Sequence, residues 1–290
     1  MIALVFAAAS LTVTPAARAL QPGEPVVLNI TSDRALTSVR VAAFGAETPG
    51  FTDDSRRHDW RALIGIDLDA APGAYTVRVS AVSDAGPVET SIELRVIPKT
   101  FPTRRLTVDE AFVNPPASAL ARINAEQKEM AAIWAASAAS RLWTEFIRPV
   151  PQAANSAFGT RSVFNKQPRS AHSGADFLSP AGTPIKAAAA GRVMLAKNLY
   201  YSGNTVIIDH GLGVFSLFAH LSRIDVTSGT DVAVRQIIGL VGATGRVTGP
   251  HLHWTVRVAG ARVDPLAVLE VLARPPAKSS ARQPAPPPAR

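Results

Sequence analysis

The chain has 290 residues, 47% of them hydrophobic, which at roughly 150 residues per domain predicts about two globular domains; 23 Pro, 19 Gly and an 18% charged fraction exclude a low-complexity chain and a polyelectrolyte. The absence of cysteine excludes thiol nucleophiles, disulfide frameworks and Cys-ligated metal, so any metal must be held by His, Asp or Glu. The net charge of +8 points to an anionic partner, but Lys278, Arg282 and Arg290 contribute to it from the tail and Arg18 from an expected leader, so charge alone makes no case for nucleic acid.

Residues 1–19 read as a secretory leader, with an apolar run from Met1 to Ala9 followed by Pro15 and the small-x-small triplet Ala17-Arg18-Ala19. That reading implies export, to the periplasm or the cell envelope. No later stretch reaches the ~18 continuous apolar residues that a span requires, so no stable membrane span is expected.

Residues 20–100 alternate apolar and polar at a period of two, in Val26–Ile30, Val39–Val41, Trp60–Ile64, Tyr75–Val79 and Ile92–Val96. Turn residues separate these runs at Ala71-Pro72-Gly73 and Asp84-Ala85-Gly86-Pro87, the spacing of a small β-sandwich of immunoglobulin-like type. His58 stands alone there in a charged run, Asp53 to Asp59, read as a solvated loop.

Residues 101–149 form a linker. Its segment Ala117 to Arg141 is Ala-rich and lacks Gly and Pro, which predicts a helix whose Leu120, Ile123, Met130, Ile133 and Trp134 pack against a neighbouring domain. At the far end, residues 273–290 are rich in Pro and Ala with only positive charges, the composition of a disordered basic tail.

The region 150–272 holds five of the six histidines: His172, His210, His220, His251 and His253. Strands are expected at Arg192–Ala196, Thr205–Asp209, Val214–His220, Ile237–Val241 and His251–Val258, punctuated by glycines. In the last of these the period of two sets His251 and His253 on one face and Leu252, Trp254, Val256 and Val258 on the other. His172 and Asp176 stand four residues apart with small residues between, so both face one way in an extended segment. A site of His172, Asp176 and His253 offers two imidazoles and one carboxylate with a fourth position open, the catalytic rather than the structural pattern for zinc. His220 and His251 then remain as unliganded imidazoles able to act on a water or an oxyanion.

His172-x-x-x-Asp176, Phe218-Ala219-His220 and Pro250-His251-Leu252-His253 resemble the three motifs of the lysostaphin/LytM-type zinc metallopeptidases, which cut peptide bonds in peptidoglycan. The resemblance runs from about Phe158 to Leu266 and includes the Gly242–Gly249 loop. It implies one zinc ion per chain on His172, Asp176 and His253, a catalytic pair of His220 and His251, and a mainly β fold. The expected architecture is an N-terminal Ig-like β-sandwich, a helical linker and a C-terminal LytM-type β-sheet domain, the duplicated hybrid motif of biotinyl and lipoyl carriers. The implied activity is a zinc metalloendopeptidase acting on peptidoglycan, favouring the D,D cross-link. The alternative is a non-catalytic activator of cell-wall amidases, the role of members that have lost ligands; all five positions are occupied here. Two departures stand out. Arg235 occupies a turn position that is usually Gly, and Lys166 stands where some members place a Tyr. His210 also sits at a position that is usually His in the family, and is read as structural.

Overall fold

The computed structural model describes residues 9–107, 113–155, 158–168 and 170–272. The tail expected at 273–290 lies outside the described residues. The first module contains β1 (Leu11–Ala16), β2 (Pro25–Ser32), β3 (Leu36–Ala43), β4 (Ala46–Pro49), β5 (Asp59–Gly65), β6 (Gly73–Ser83) and β7 (Gly86–Val96). Two antiparallel sheets, β1-β2-β5 and β4-β3-β6-β7, enclose a core of Val26, Leu28, Ile30, Val39, Val41, Ile64, Val77, Val79 and Leu94. Each fully buried side chain of this kind contributes about 1.5–3 kcal/mol, enough in sum to hold a two-sheet module without disulfides.

The first strand falls within the residues read as a leader. Residues 1–8 lie outside the described set, but β1 pairs with β2 in unbroken register from Leu11↔Ser32 to Ala16↔Val27. The run Leu11-Thr12-Val13-Thr14 alternates like a half-buried edge strand, and Pro15 is tolerated there because an edge strand has one unpaired side. Arg18, inside the presumed cleavage triplet, donates to Glu24 at 2.8 Å and to Asp264 at 2.7 Å. Residues 11–18 thus contribute a strand and a cation to the contacts of the sandwich in this structure.

The linker helix α1 spans Ala117–Ala135, six residues shorter than expected. Its end has a specific cause: the buried Asp209 carboxylate accepts from Ser137 Oγ and from the Ala138 N–H, both at 2.7 Å, and draws the chain off the helix axis. Met130, Ile133 and Trp134 do pack on a neighbouring domain, against Leu195, Leu199, Ile207 and Phe215, whereas Leu120 is exposed. Replacing Asp209 by Ala removes the acceptor of the Ser137 hydroxyl, of the Ala138 N–H and of the Gly211 N–H. The expected loss is about 1–3 kcal/mol, read as a lowered urea midpoint at unchanged zinc content.

A small sheet, β10-β9-β8, follows from β8 (Thr103–Leu106), β9 (Arg161–Phe164) and β10 (Gln167–Pro168). The C-terminal sheet contains β11 (Gly174–Phe177), β12 (Pro184–Lys186), β13 (Gly191–Leu199), β14 (Gly203–Asp209), β15 (Val214–Ile224), β16 (Asp231–Val232), β17 (Ile237–Val241), β18 (Leu252–Val258) and β19 (Ala261–Val263). Its main path runs β11-β18-β15-β14-β13-β16, with β17 joining β12 to β15 and β19 beside β18. The expected strands lie in this sheet. A short helix, α2 (Pro265–Val271), was not anticipated; Asp264 caps it through the Leu266 N–H at 3.0 Å, with Pro265 in the first turn.

The two modules share a core. Val27, Phe51 and Leu63 of the sandwich pack in the same cluster as Trp143, Phe146, Phe177 and Trp254. Arg262 of β19 reaches Asp67 and Asp69 of the sandwich, so apolar and ionic contacts both fix the modules together. Arg235 has the positive φ of a glycine turn, 70°, and its guanidinium is paired with Glu145. No described helix is long and apolar enough to cross a membrane.

Candidate metal centre and active site

Strand β18 is the spine of the site. Its neighbours β11 and β15 are both antiparallel to it, and their register sets Asp176 and Ala219 on either side of His253. The core face of β18 buries Leu252, Trp254, Val256 and Val258, which leaves His251, His253 and Thr255 on the opposite face, as the period of two predicts.

Three ligand-capable atoms converge there. His172 Nε2 lies 3.0 Å from Asp176 Oδ1 and 3.0 Å from His253 Nδ1, and His253 Nδ1 lies 2.8 Å from Asp176 Oδ1. Two imidazole nitrogens and a carboxylate oxygen in one triangle form a donor set suited to zinc. The orientation is fixed from behind: His253 Nε2 is 3.0 Å from Thr255 Oγ1, which leaves Nδ1 facing the triangle. His172 Nδ1 is buried and has no partner among the described residues. Burial pushes the His253 imidazole below the ordinary range, so its ligand lone pair resists protonation. Burial alone would raise the Asp176 carboxyl, but hydrogen bonds from His172 and His253 outweigh it and hold that group well below the usual carboxylate range.

Gly174 makes room for this triangle. A Cβ at that position would stand 2.5 Å from the Trp254 carbonyl and 2.7 Å from the His253 ring. Gly174→Ala therefore displaces a ligand; the expected outcome is a loss of about 1–3 kcal/mol of stability together with weakened zinc binding, checked by thermal melts with and without zinc.

The other two imidazoles face each other beside the triangle, with ring centroids 4.9 Å apart. His220 Nδ1–H donates to the Thr244 carbonyl at 2.9 Å and His251 Nδ1–H donates to the Gly249 carbonyl at 2.9 Å. A carbonyl only accepts, so in the neutral form of each ring the proton sits on Nδ1 and Nε2 is left as the lone pair. His251 Nε2 is 3.9 Å from Asp176 Oδ1, which sets it at the edge of the triangle. Burial lowers the His220 pKa to about 4, so that ring is neutral at physiological pH. His220 also sits at φ 68°, a strained conformation for a non-glycine residue, next to a register shift between β14 and β15, with its backbone N–H held by the Ser202 carbonyl at 2.9 Å.

The structure thus brings His172, Asp176, His220, His251 and His253 together. His210 is apart from them: fully buried, it donates from Nδ1 to the Ala190 carbonyl at 2.8 Å and accepts from the Ser216 hydroxyl at 2.9 Å, beside Phe146. His58 donates to the Ser32 carbonyl within the sandwich. Lys166 is exposed in the turn between β9 and β10 at φ 66°. Sequence reasoning missed Thr255, although the same two-residue period that pairs His251 with His253 sets it on their face. It also missed the carbonyls of Thr244 and Gly249, for which side-chain chemistry gives no signal.

A sheet-borne His/Asp/His triangle flanked by two further imidazoles defines a metallopeptidase class of site. The family model for peptidase family M23 matches residues 170–265. A solved peptidase M23 structure from Pseudomonas aeruginosa is 33% identical, covers 86% of this chain and 94% of that one, and superposes with a TM-score of 0.67. The chain belongs to peptidase family M23. It is 46% identical over 93 residues to the peptidoglycan DD-endopeptidase ShyA of Vibrio cholerae, covering 32% of this chain and 22% of that protein. Over 97 residues it is 43% identical to the DD-carboxypeptidase/endopeptidase Mpg of Neisseria meningitidis, covering 33% of this chain. The match spans only 22% of that relative's length as well.

Proposed function

We propose that this chain is an exported zinc metalloendopeptidase that hydrolyses peptide bonds in peptidoglycan, acting as a D,D-endopeptidase on cross-links. The observation that carries the reading is the triangle of His172, Asp176 and His253, with edges of 2.8–3.0 Å, set against the facing imidazoles of His220 and His251. A zinc ion bound by the three ligands supplies a Lewis acid that lowers the pKa of its water toward ~7 and polarises the scissile carbonyl.

The protein's own groups do the rest. In its neutral form each of His251 and His220 presents an unprotonated Nε2, so either can accept the proton of the attacking water, and the protonated ring then donates to the developing oxyanion or to the leaving amine. The Thr244 and Gly249 carbonyls stabilise the imidazolium formed in either ring, because each already accepts from its Nδ1–H. Peptidoglycan stem peptides carry free carboxylates, which suit a chain of net charge +8. The envelope location rests on the leader reading and on the names of the relatives.

Release of soluble muropeptides from purified peptidoglycan tests this reading. Zinc-loaded protein releases them, and a chelator stops the release; release that continues in the chelator overturns the zinc mechanism.

A further inference from the structure

His220 stands in the left-handed region, and a non-glycine residue keeps that conformation only where its surroundings over-determine it. Two carbonyls do so. Ser202 accepts from the His220 backbone N–H and Thr244 from its ring Nδ1–H, both at 2.9 Å. Ser202 lies in the turn 200–202 of the β13–β14 hairpin, and Thr244 in the loop that leads to β18. The hairpin also holds that loop. Gly203, at φ 64°, meets Thr244 so closely that a Cβ there would collide with the Thr244 backbone, and the Asn204 N–H donates to the Thr244 hydroxyl at 2.9 Å. Both restraints on His220 therefore depend on where the end of one hairpin sits.

That end is fixed from outside the sheet. The β13–β14 ladder closes at Leu199↔Gly203, and the next backbone N–H, that of Tyr200, donates to Glu126 Oε2 of the linker helix α1 at 2.8 Å. The second carboxylate oxygen is occupied too: Arg122, one turn earlier on α1, donates to Glu126 Oε1 at 2.6 Å and reaches Asn198 Oδ1 at 3.0 Å. The Glu126 side chain is only 12% exposed, and a hydrogen bond to a carboxylate shielded in this way is stronger than one between neutral groups. Helix α1 lies outside residues 170–265, so the support comes from the linker and not from the part of the chain that carries the family match.

We propose that Glu126 is a positioning residue for His220, acting through the Tyr200 N–H and the hairpin end that holds both carbonyls on His220. The inference rests on the peptidase reading above and deepens it: the linker helix supports the proton-transfer pair of that site.

The test uses the full chain, loaded with zinc, and a cross-linked peptide dimer as substrate. E126A lowers kcat by about tenfold, within the ~10²-fold that a misplacement of about 1 Å can cost, with KM and zinc content unchanged. E126M, which keeps the bulk of the side chain but no acceptor, behaves like E126A, whereas E126Q, which keeps an acceptor for the Tyr200 N–H, restores most of the rate. E129A breaks the exposed pair of the same helix with Lys197 and keeps the wild-type kcat. In an H220A background E126A costs nothing further, because the residue it positions is gone. A loss that adds in full to that of H220A, or that E129A shares, overturns the proposal.

Nitrogen-15 spectra of the histidine rings separate the proposal from the peptidase reading, since they need no turnover. The His220 ring signal, identified by its absence from H220A, moves in E126A and E126M and stays in place in E126Q. A protein that shows this pattern yet cleaves no dimer contradicts the peptidase reading alone; a His220 signal unmoved by E126A overturns the role of Glu126.

Discussion

Asp176→Ala removes zinc and hydrolysis together. The carboxylate closes the triangle with His172 and His253 at 3.0 and 2.8 Å and carries the ligand set's negative charge, so its loss leaves two imidazoles with nothing to balance a divalent ion. The expected fall in kcat/KM is at least about a thousandfold, the scale on which catalytic groups that act as a unit fail, and elemental analysis of the purified variant reads zinc well below one ion per chain. The pH dependence of metal retention follows from the same groups. Asp176 is held well below the usual carboxylate range, so it stays ionised as pH falls. Burial keeps His253 unprotonated below the ordinary imidazole range. Protons therefore compete poorly for the His253 ring, and zinc is retained below the pH at which a histidine in solution titrates. Zinc lost in step with the titration of free imidazole would contradict this.

His251→Ala separates chemistry from metal binding. His251 Nε2 lies 3.9 Å from Asp176 Oδ1 and outside the ligand triangle, so the variant keeps its zinc. Loss of a positioned acid–base group costs ~10²–10⁴-fold in rate, and the loss falls on kcat. His220→Ala shares this outcome, and the double variant is no worse than about the poorer single one, because the two rings serve one proton-transfer sequence. The His220 titration, near pH 4, lies on the acid side: the ring is neutral above that value and loses its function as a base when the pH falls through it. A zinc-free His251→Ala protein would show instead that His251 is a ligand.

The clustering of the candidate ligand residues was legible in the sequence because strand geometry is periodic. His251 and His253 share a face at a spacing of two, and His172 and Asp176 converge on that face from the start of β11. The helix of the linker was legible as well, but not its end, since Asp209 lies some seventy residues away in the chain and nothing local at Ser137 announces it. The strand β1 had no signature of its own in the sequence, because a short apolar run in front of small residues also satisfies the pattern of a leader, and its pairing with β2 is non-local. Helix α2 was passed over although Asp264-Pro265 is a cap followed by a first-turn proline. The strained φ of His220 and the carbonyls that set its tautomer depend on the meeting of two loops, 199–204 and 242–250, and so had no local signature.

A defined cross-linked muropeptide dimer, incubated with the zinc-loaded protein and followed by mass spectrometry, tests the central claim most directly. The account predicts two monomers whose summed mass exceeds that of the dimer by one water, with the new termini at the cross-link. A dimer that stays intact on protein carrying one zinc per chain would contradict it.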